Sequence, residues 1–387
     1  MVGDRFDAVG ARMGVHAVIL SWIGFVVGIV VLLSTTLSVI GTLVVPRAVD
    51  SMISRVSDNA VDMCFLFCTK PVRSFTRRDR ILAWQAPAGL LLRLGIWISL
   101  LVLGYALVLL PAVSGHAWRA FSEAGSSMFT LGYSAPTNSS STVVDYIAAY
   151  TGLVVVGLQI GYLPTLYAAF NRRETEVTLL ISRAGVPAWG PEILARTRWG
   201  IYSGDSRPEL GELFDHWERW SAEVAESHTT YLTLARLRSP RPLSHWVTAL
   251  LAVLDSAAMH LSLSPDSEPK IAARLCLRMG FTALRQVAMS MRLPTNEDPH
   301  PDDPIELTYE QFSDAVLMLR DIGYPIEVST KQAWQNFKGW RVNYETTAYA
   351  LARLLDAPPV LWSGTRRWPS EPMNPIRPTN RRRTDQG

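Results

Sequence analysis

The sequence predicts an all-α membrane protein, with an all-helical domain after the last of its apolar runs. Three observations predict it. Residues 17–46, 94–118 and 146–171 contain no Asp, Glu, Lys or Arg, and a bilayer core of about 30 Å takes about 20 apolar residues of helix, so each run is long enough to cross. Hydrophobic residues make up 48% of the 387, and the excess is concentrated in these runs. From residue 174 onward, apolar residues recur at helical spacing and no stretch alternates as a strand does.

The elements follow in order. Residues 1–15 form a short extracellular tail of nearly balanced charge (Asp4, Arg5, Asp7, Arg12). Residues 16–46 form the first transmembrane helix, since the run is too long for a signal-peptide core and no small-x-small cleavage site follows it. The connector over 47–87 carries Arg47, Arg55, Lys70, Arg73, Arg77, Arg78 and Arg80, whereas the connector between the second and third runs carries only Arg119 as a base. The positive-inside rule then puts 47–87 in the cytoplasm and 110–145 outside. This gives a multi-pass plasma-membrane protein with its N-terminus outside and its C-terminal domain cytoplasmic. Arg93 is expected to snorkel from the inner end of the second helix, and Trp84 and Trp97 to be interfacial or lipid-facing. Cys64 and Cys68, one helical turn apart, read as small buried hydrophobes rather than as a metal or redox pair. With Cys276 they make no disulfide framework.

The segment over 116–134 sits between the second and third runs. Ala120, Phe121, Glu123 and Ala124 suit a short helix, which Gly125, Ser126 and Ser127 weaken. Five uncharged residues follow: Thr130, Leu131, Gly132, Tyr133 and Ser134. Non-helical backbone at membrane depth is tolerated where it is buried or lines a water-filled path. Its carbonyls can there replace an ion's hydration shell. In that role Gly132 supplies left-handed backbone, Thr130 adds a hydroxyl at the inner end, and Tyr133 packs outward. Taken alone, the motif fits an ordinary extracellular loop with a turn at Gly132 equally well. The polar linker over 136–142 would continue such a loop, and it holds a sequon at Asn138. The third helix, over about 144–170, carries Gly152, Gly157, Gly161 and Pro164. The glycines read as packing positions or as hinges of a gate, and Pro164 predicts a kink near Ile160.

Together, the short helix, the string from Ser126 to Ser134 and the flanking runs resemble the potassium-channel superfamily, whose filter reads Thr-Val-Gly-Tyr-Gly. The likeness covers residues 94–174 and is to the bacterial two-helix pore-loop type, with an additional N-terminal helix. Gly161-Tyr-Leu-Pro164, followed by Asn171-Arg-Arg-Glu174, is similar to that type's inner-helix exit. The resemblance implies a potassium-channel-like pore module over 88–173, with three transmembrane helices in the chain and one re-entrant loop. It implies a homotetramer around one filter, and passive conduction of a monovalent cation, potassium by resemblance, with no cofactor. Four positions depart from the pattern: Leu131 replaces Val, Ser134 the closing Gly, Ala135 an Asp, and Phe129 a second Thr. Ser134 and Ala135 leave a reading of another class open, a non-conducting membrane-anchored sensor or interaction protein that retains a channel-like hairpin.

The helical cytoplasmic domain spans 174–361, with helices expected over 174–184, 208–226, 243–262, 269–291, 309–322 and 330–356. No Gly-x-Gly-x-x-Gly occurs in it, so it does not resemble the nucleotide-binding regulatory domains of many bacterial channels. His216, His228, His245 and His260 fit no metal-ligand spacing. Asp215, His216 and Glu218 read as a solvated face, His260 as a core residue, and 298–304 as a proline-rich acidic linker. Neither an enzyme constellation nor a basic stripe for nucleic acid is present. Membrane lipid is an expected partner, and no transmembrane run carries the spaced arginines of a voltage sensor. Residues 362–387 read as a disordered basic tail, with Arg377 and the arginines at 381–383 within reach of anionic headgroups.

Overall fold

The computed structural model describes residues 3–45, 51–136, 138–196 and 207–376. Arg47, Thr137 of the polar linker, Arg377 and the arginines at 381–383 lie outside them. The described residues form α1 (Gly3–Leu43), α2 (Met52–Thr69), α3 (Phe75–Leu82), α4 (Gln85–Leu109), α5 (Ala117–Met128) and α6 (Ser139–Ala184). After these come α7 (Gly190–Arg196), α8 (Arg207–Thr230), α9 (Thr233–Arg236), α10 (Trp246–Leu263) and α11 (Lys270–Ser290). The last three are α12 (Tyr309–Asp321), α13 (Thr330–Arg341) and α14 (Glu345–Leu354). Among the described residues no strand forms, and one isolated parallel bridge joins Val360 to Met373.

Four stretches are helical, long and apolar enough to cross a membrane: Val18–Leu43, Phe75–Leu109, Ser139–Ala184 and Trp246–Leu263. Their surroundings separate them. The first is only 22% covered by protein and the third 28%, so both present apolar surface that water does not solvate well, whereas α10 is 100% covered. The chain therefore has the character of a membrane protein, and α10 owes its hydrophobicity to the core around it.

The chain divides into two compact units. The first comprises residues 1–64 and 87–166. Within it, α1 lies against α4 through small residues, a packing that the sequence carries as Gly24-x-x-x-Gly28. A methyl group added at Gly28 would sit 2.7 Å from the Gly104 carbonyl oxygen, and one added at Gly104 would sit 2.8 Å from Leu32. Trp97 is corrected from interfacial or lipid-facing to buried, and its Nε1 donates to Ser38 Oγ at 3.1 Å. Arg93 does not snorkel but forms an ion pair with Asp58 of α2. Cys64 and Cys68 are exposed rather than buried. The connector is thus not plain linker, because α2 and α3 organise it.

The second unit comprises residues 65–86 and 167–387. Its core gathers Phe214, Trp217, Trp246, Phe312 and Phe337 around α10. At its centre the buried Arg341 guanidinium donates to Asp255, to Glu345 Oε1 at 2.8 Å, to the Tyr349 hydroxyl at 2.8 Å and to the Trp362 carbonyl at 2.6 Å. The expected helix over 330–356 is two helices, α13 and α14, broken at 342–344. That break turns Tyr344 so that its hydroxyl donates to Asp255 at 2.8 Å. Residues 362–376 do not follow the expectation of a disordered tail. Trp362 and Arg366 are buried, and the Arg366 guanidinium donates to the carbonyls of Ala357, Pro358 and Ser363. A buried ring and five hydrogen bonds from one guanidinium outweigh the Pro- and Arg-rich composition there.

A second buried guanidinium fixes the last third of α6. Arg173 donates to Glu174, to the carbonyls of Leu234 at 2.6 Å and Leu237 at 2.7 Å, and to His228 Nε2 at 3.1 Å. Arginine has no acceptor, so His228 Nε2 carries no proton and the ring is neutral. Burial, and then the Arg173 charge, hold the His228 pKa well below its ordinary value. Burial and nearby arginines do the same to His245.

Gly28→Leu is expected to cost about 1–3 kcal/mol by overpacking the α1–α4 contact, read as a lower melting temperature in detergent; an unchanged melt would show that the helices do not rest on each other. The depressed His228 pKa carries a second expectation. Below pH 6.5 the unfolded chain takes up a proton that the fold excludes, so this contribution is complete above that pH and is lost as pH falls, at about 1.4 kcal/mol per pH unit per histidine. His228→Gln, which keeps an acceptor for Arg173, should flatten the fall in stability between pH 6.5 and 5. An identical slope in the variant would remove His228 from that response.

Candidate functional site

The segment expected to be a re-entrant helix and loop is a helix, α5, followed by an irregular loop. Ala120 and Ala124 of α5 pack in one buried cluster with Ala148 of α6 and Tyr105 and Leu109 of α4. Small side chains let the three helices meet closely. The Tyr105 hydroxyl and Thr151 Oγ1 lie 2.7 Å apart, tying α4 to α6 at the same level. Met128, at the end of α5, is buried with Trp97, Leu101 and Val155.

The loop then leaves α5 along a defined path. The N–H groups of Phe129, Thr130 and Leu131 donate to the carbonyls of Gly125, Ser127 and Ser126 at 3.0, 3.0 and 2.8 Å. The Ser134 N–H donates to the buried Ser126 Oγ at 3.1 Å. Ser126 thus fastens the loop twice, once through its carbonyl and once through its hydroxyl. Among the described residues no donor reaches the carbonyls of Thr130, Leu131, Gly132 or Tyr133.

Backbone conformation divides the five residues. Gly132 has φ +70°, as its role in a left-handed position requires, and Thr130 has φ +55°. Leu131 and Tyr133 between and after them stay at negative φ, so the hand alternates along the loop. A β-branched residue in the left-handed region is a true outlier, worth about 1–3 kcal/mol of strain. The strained position is therefore Thr130 and not Ser134, the residue whose sequence departs most from the filter pattern. Within one chain the loop is open to its surroundings: Leu131 is 64% and Tyr133 66% exposed. Tyr133 does not pack outward against its own chain.

The four residues singled out on α6 have different settings. Gly152 is a close-approach position, where an added methyl would sit 2.3 Å from the Met128 carbonyl oxygen. Gly157 and Gly161 meet nothing within 4 Å. Pro164 lies inside α6, which runs unbroken from Ser139 to Ala184. Two acids whose burial the sequence reading did not anticipate lie nearby. Glu123 is fully buried with neither carboxyl oxygen in hydrogen-bond geometry, and Asp145 Oδ1 is likewise buried and unmatched. A lone acid in each of two apolar surroundings was the only available signal. Among the described residues no group of three or more metal-ligating side chains forms. His216 is exposed, and His260 is buried with its Nδ1 2.8 Å from the Tyr324 hydroxyl.

Gly152→Ala is expected to push α5 off α6, lowering the melting temperature in detergent by the equivalent of about 1–3 kcal/mol; a variant as stable as the parent would mean that this contact yields at no cost. No protein-family model, curated protein or solved structure matches this chain.

Proposed function

We propose that the chain is one subunit of a homotetrameric passive cation channel in the plasma membrane, with potassium as the leading permeant ion. The carbonyls of Thr130, Leu131, Gly132, Tyr133 and Ser134 line the conduction path. Three helical stretches cross the bilayer, with α5 and its loop re-entering from outside and the helical domain in the cytoplasm.

One observation carries the reading. The loop's first N–H groups and that of Ser134 are held by α5, while its carbonyls have no donor among the described residues. Backbone oxygens without partners are expensive at membrane depth unless water or a cation meets them. Thr130 and Gly132 take positive φ while Leu131 and Tyr133 do not, so the segment is not an extended strand, whose successive residues face opposite sides. A cation supplies what such a row lacks.

One loop cannot enclose an axis, so closed symmetry with four copies is part of the proposal. The exposed apolar residues Tyr150, Leu153 and Ile160 of α6 are then covered by neighbouring copies or lipid. Gly157 and Gly161, which meet no neighbour within 4 Å, are the positions left for bending near an inner gate, with Pro164 one turn beyond. Gly152 serves packing. The helical domain holds both ends that lead into the pore module. It binds α3, which leads directly into α4, through Arg78–Asp356 and Arg238–Asp79. It binds the end of α6 through Arg173.

The test is cation flux into liposomes loaded with purified protein. Potassium or rubidium uptake above empty vesicles is expected for the parent, and at least a tenfold loss for Gly132→Ala, where a side chain must take positive φ. Ser126→Ala, which removes the acceptor for the Ser134 N–H, should weaken discrimination between potassium and sodium while leaving the protein folded. No flux of any monovalent cation, or a stable monomer in mild detergent, would favour the non-conducting sensor instead.

A further inference from the structure

Where α6 leaves its uncharged stretch, it forms one wall of a cavity of about 320 Å³ whose other wall is α8. Arg172 and Glu176 of α6 line it together with His216, Arg219, Trp220 and Glu223 of α8. The Trp220 Nε1–H donates to the Arg173 carbonyl at 3.2 Å and fixes the two helices at this level.

The charges in this cavity are not matched to each other. Among the described residues, Arg172 and Arg219 have no anionic partner, and the carboxylates of Glu176 and Glu223 have no cationic one. Arg172 and Glu176, like Arg219 and Glu223, are four residues apart on one helix, the spacing at which pairs form readily. In both cases the base precedes the acid, the less favourable order. The cavity therefore offers two guanidinium groups and two carboxylates to something else.

Position narrows what that is. Arg172 is the first charged residue after the run over 146–171. A helix rises 1.5 Å per residue, so Glu176 lies about 6 Å further along, close to the thickness of one headgroup layer. We infer that this cavity binds the headgroup of an inner-leaflet phospholipid that carries both a phosphodiester and a primary ammonium, as phosphatidylethanolamine does. The phosphodiester takes the guanidinium groups of Arg172 and Arg219, whose forked donors suit phosphate oxygens. The ammonium, with three donors, takes Glu176 and Glu223. A purely anionic headgroup meets two carboxylates it cannot satisfy. A quaternary ammonium has no N–H donor for the two carboxylates to accept.

The inference rests on α6 crossing the bilayer and not on conduction, so a silent flux assay leaves it standing. The test is native mass spectrometry of the full chain in mild detergent with equimolar phosphatidylethanolamine, phosphatidylcholine and phosphatidylglycerol. Phosphatidylethanolamine should be retained about tenfold over the other two, equivalent to about 1.4 kcal/mol. R172Q/R219Q should lose that retention. E176Q/E223Q should keep phosphate binding and lose the preference over phosphatidylglycerol. Equal retention of all three lipids, or a preference that survives both double variants, overturns the site. Displacement of the lipid by soluble glycerophosphoethanolamine at the same concentration would assign the cavity to a free phosphoester instead, overturning the membrane source.

Discussion

A polar group that leaves water must find a partner, and the buried arginines at the centre of the helical domain meet that constraint. Arg341 is the clearest case, with its donors spent on Asp255, Glu345, Tyr349 and the Trp362 carbonyl. The rings of Phe337, Tyr344, Tyr349 and Trp362 lie 5.7–6.0 Å from its guanidinium carbon. Removing one partner from such a set leaves a charge uncompensated in low dielectric, which typically costs about 3–5 kcal/mol. One side chain thereby fixes α10, α13, α14 and the segment after them. Arg173 plays the same part for α6, α8 and α9, and forces a neutral histidine at position 228.

The loop after α5 is exposed within one chain, so that rule does not bind it there. Its early amides are matched, its hydroxyl brace is buried, and yet a row of carbonyls is left without donors. Thr130 sits at a positive φ that a β-branched residue avoids. Natural sequences break local rules mostly where function requires it. Strain at Thr130 and the unmatched oxygens of 130–133 fall in one loop, which is why it stands above the solvated clusters of the helical domain as the candidate site.

Around that loop the helices of the first unit meet through small residues. Gly28 meets Gly104, Gly152 meets the Met128 carbonyl, and Ala120 and Ala124 meet Ala148. Lipid tails are as apolar as leucine, so close backbone approach and dispersion, not exclusion of water, hold such helices together. The large apolar residues are accordingly turned outward: Leu20, Leu37, Leu91 and Leu153 are each 69–71% exposed. The second unit inverts this arrangement, with tryptophans and phenylalanines inside.

The sequence by itself determined the helical class, the three uncharged runs and a short helix within 116–134, because run length, charge and helix propensity are local quantities. It also placed a turn at Gly132, since φ preference belongs to the residue. It did not disclose that Gly152 is a contact and that Gly157 and Gly161 meet no neighbour, because all three look alike until another chain segment lies beside one of them. Trp97, Arg93 and Trp362 were misjudged for the same reason, since each is decided by a partner distant in sequence: Ser38, Asp58 and Arg341. The strain at Thr130 was likewise invisible, because its own preferences oppose it and only the brace from Ser126 and the end of α5 impose it. Local composition set which segments fold as helix, and long-range satisfaction of polar groups decided which faces, breaks and outliers those helices carry.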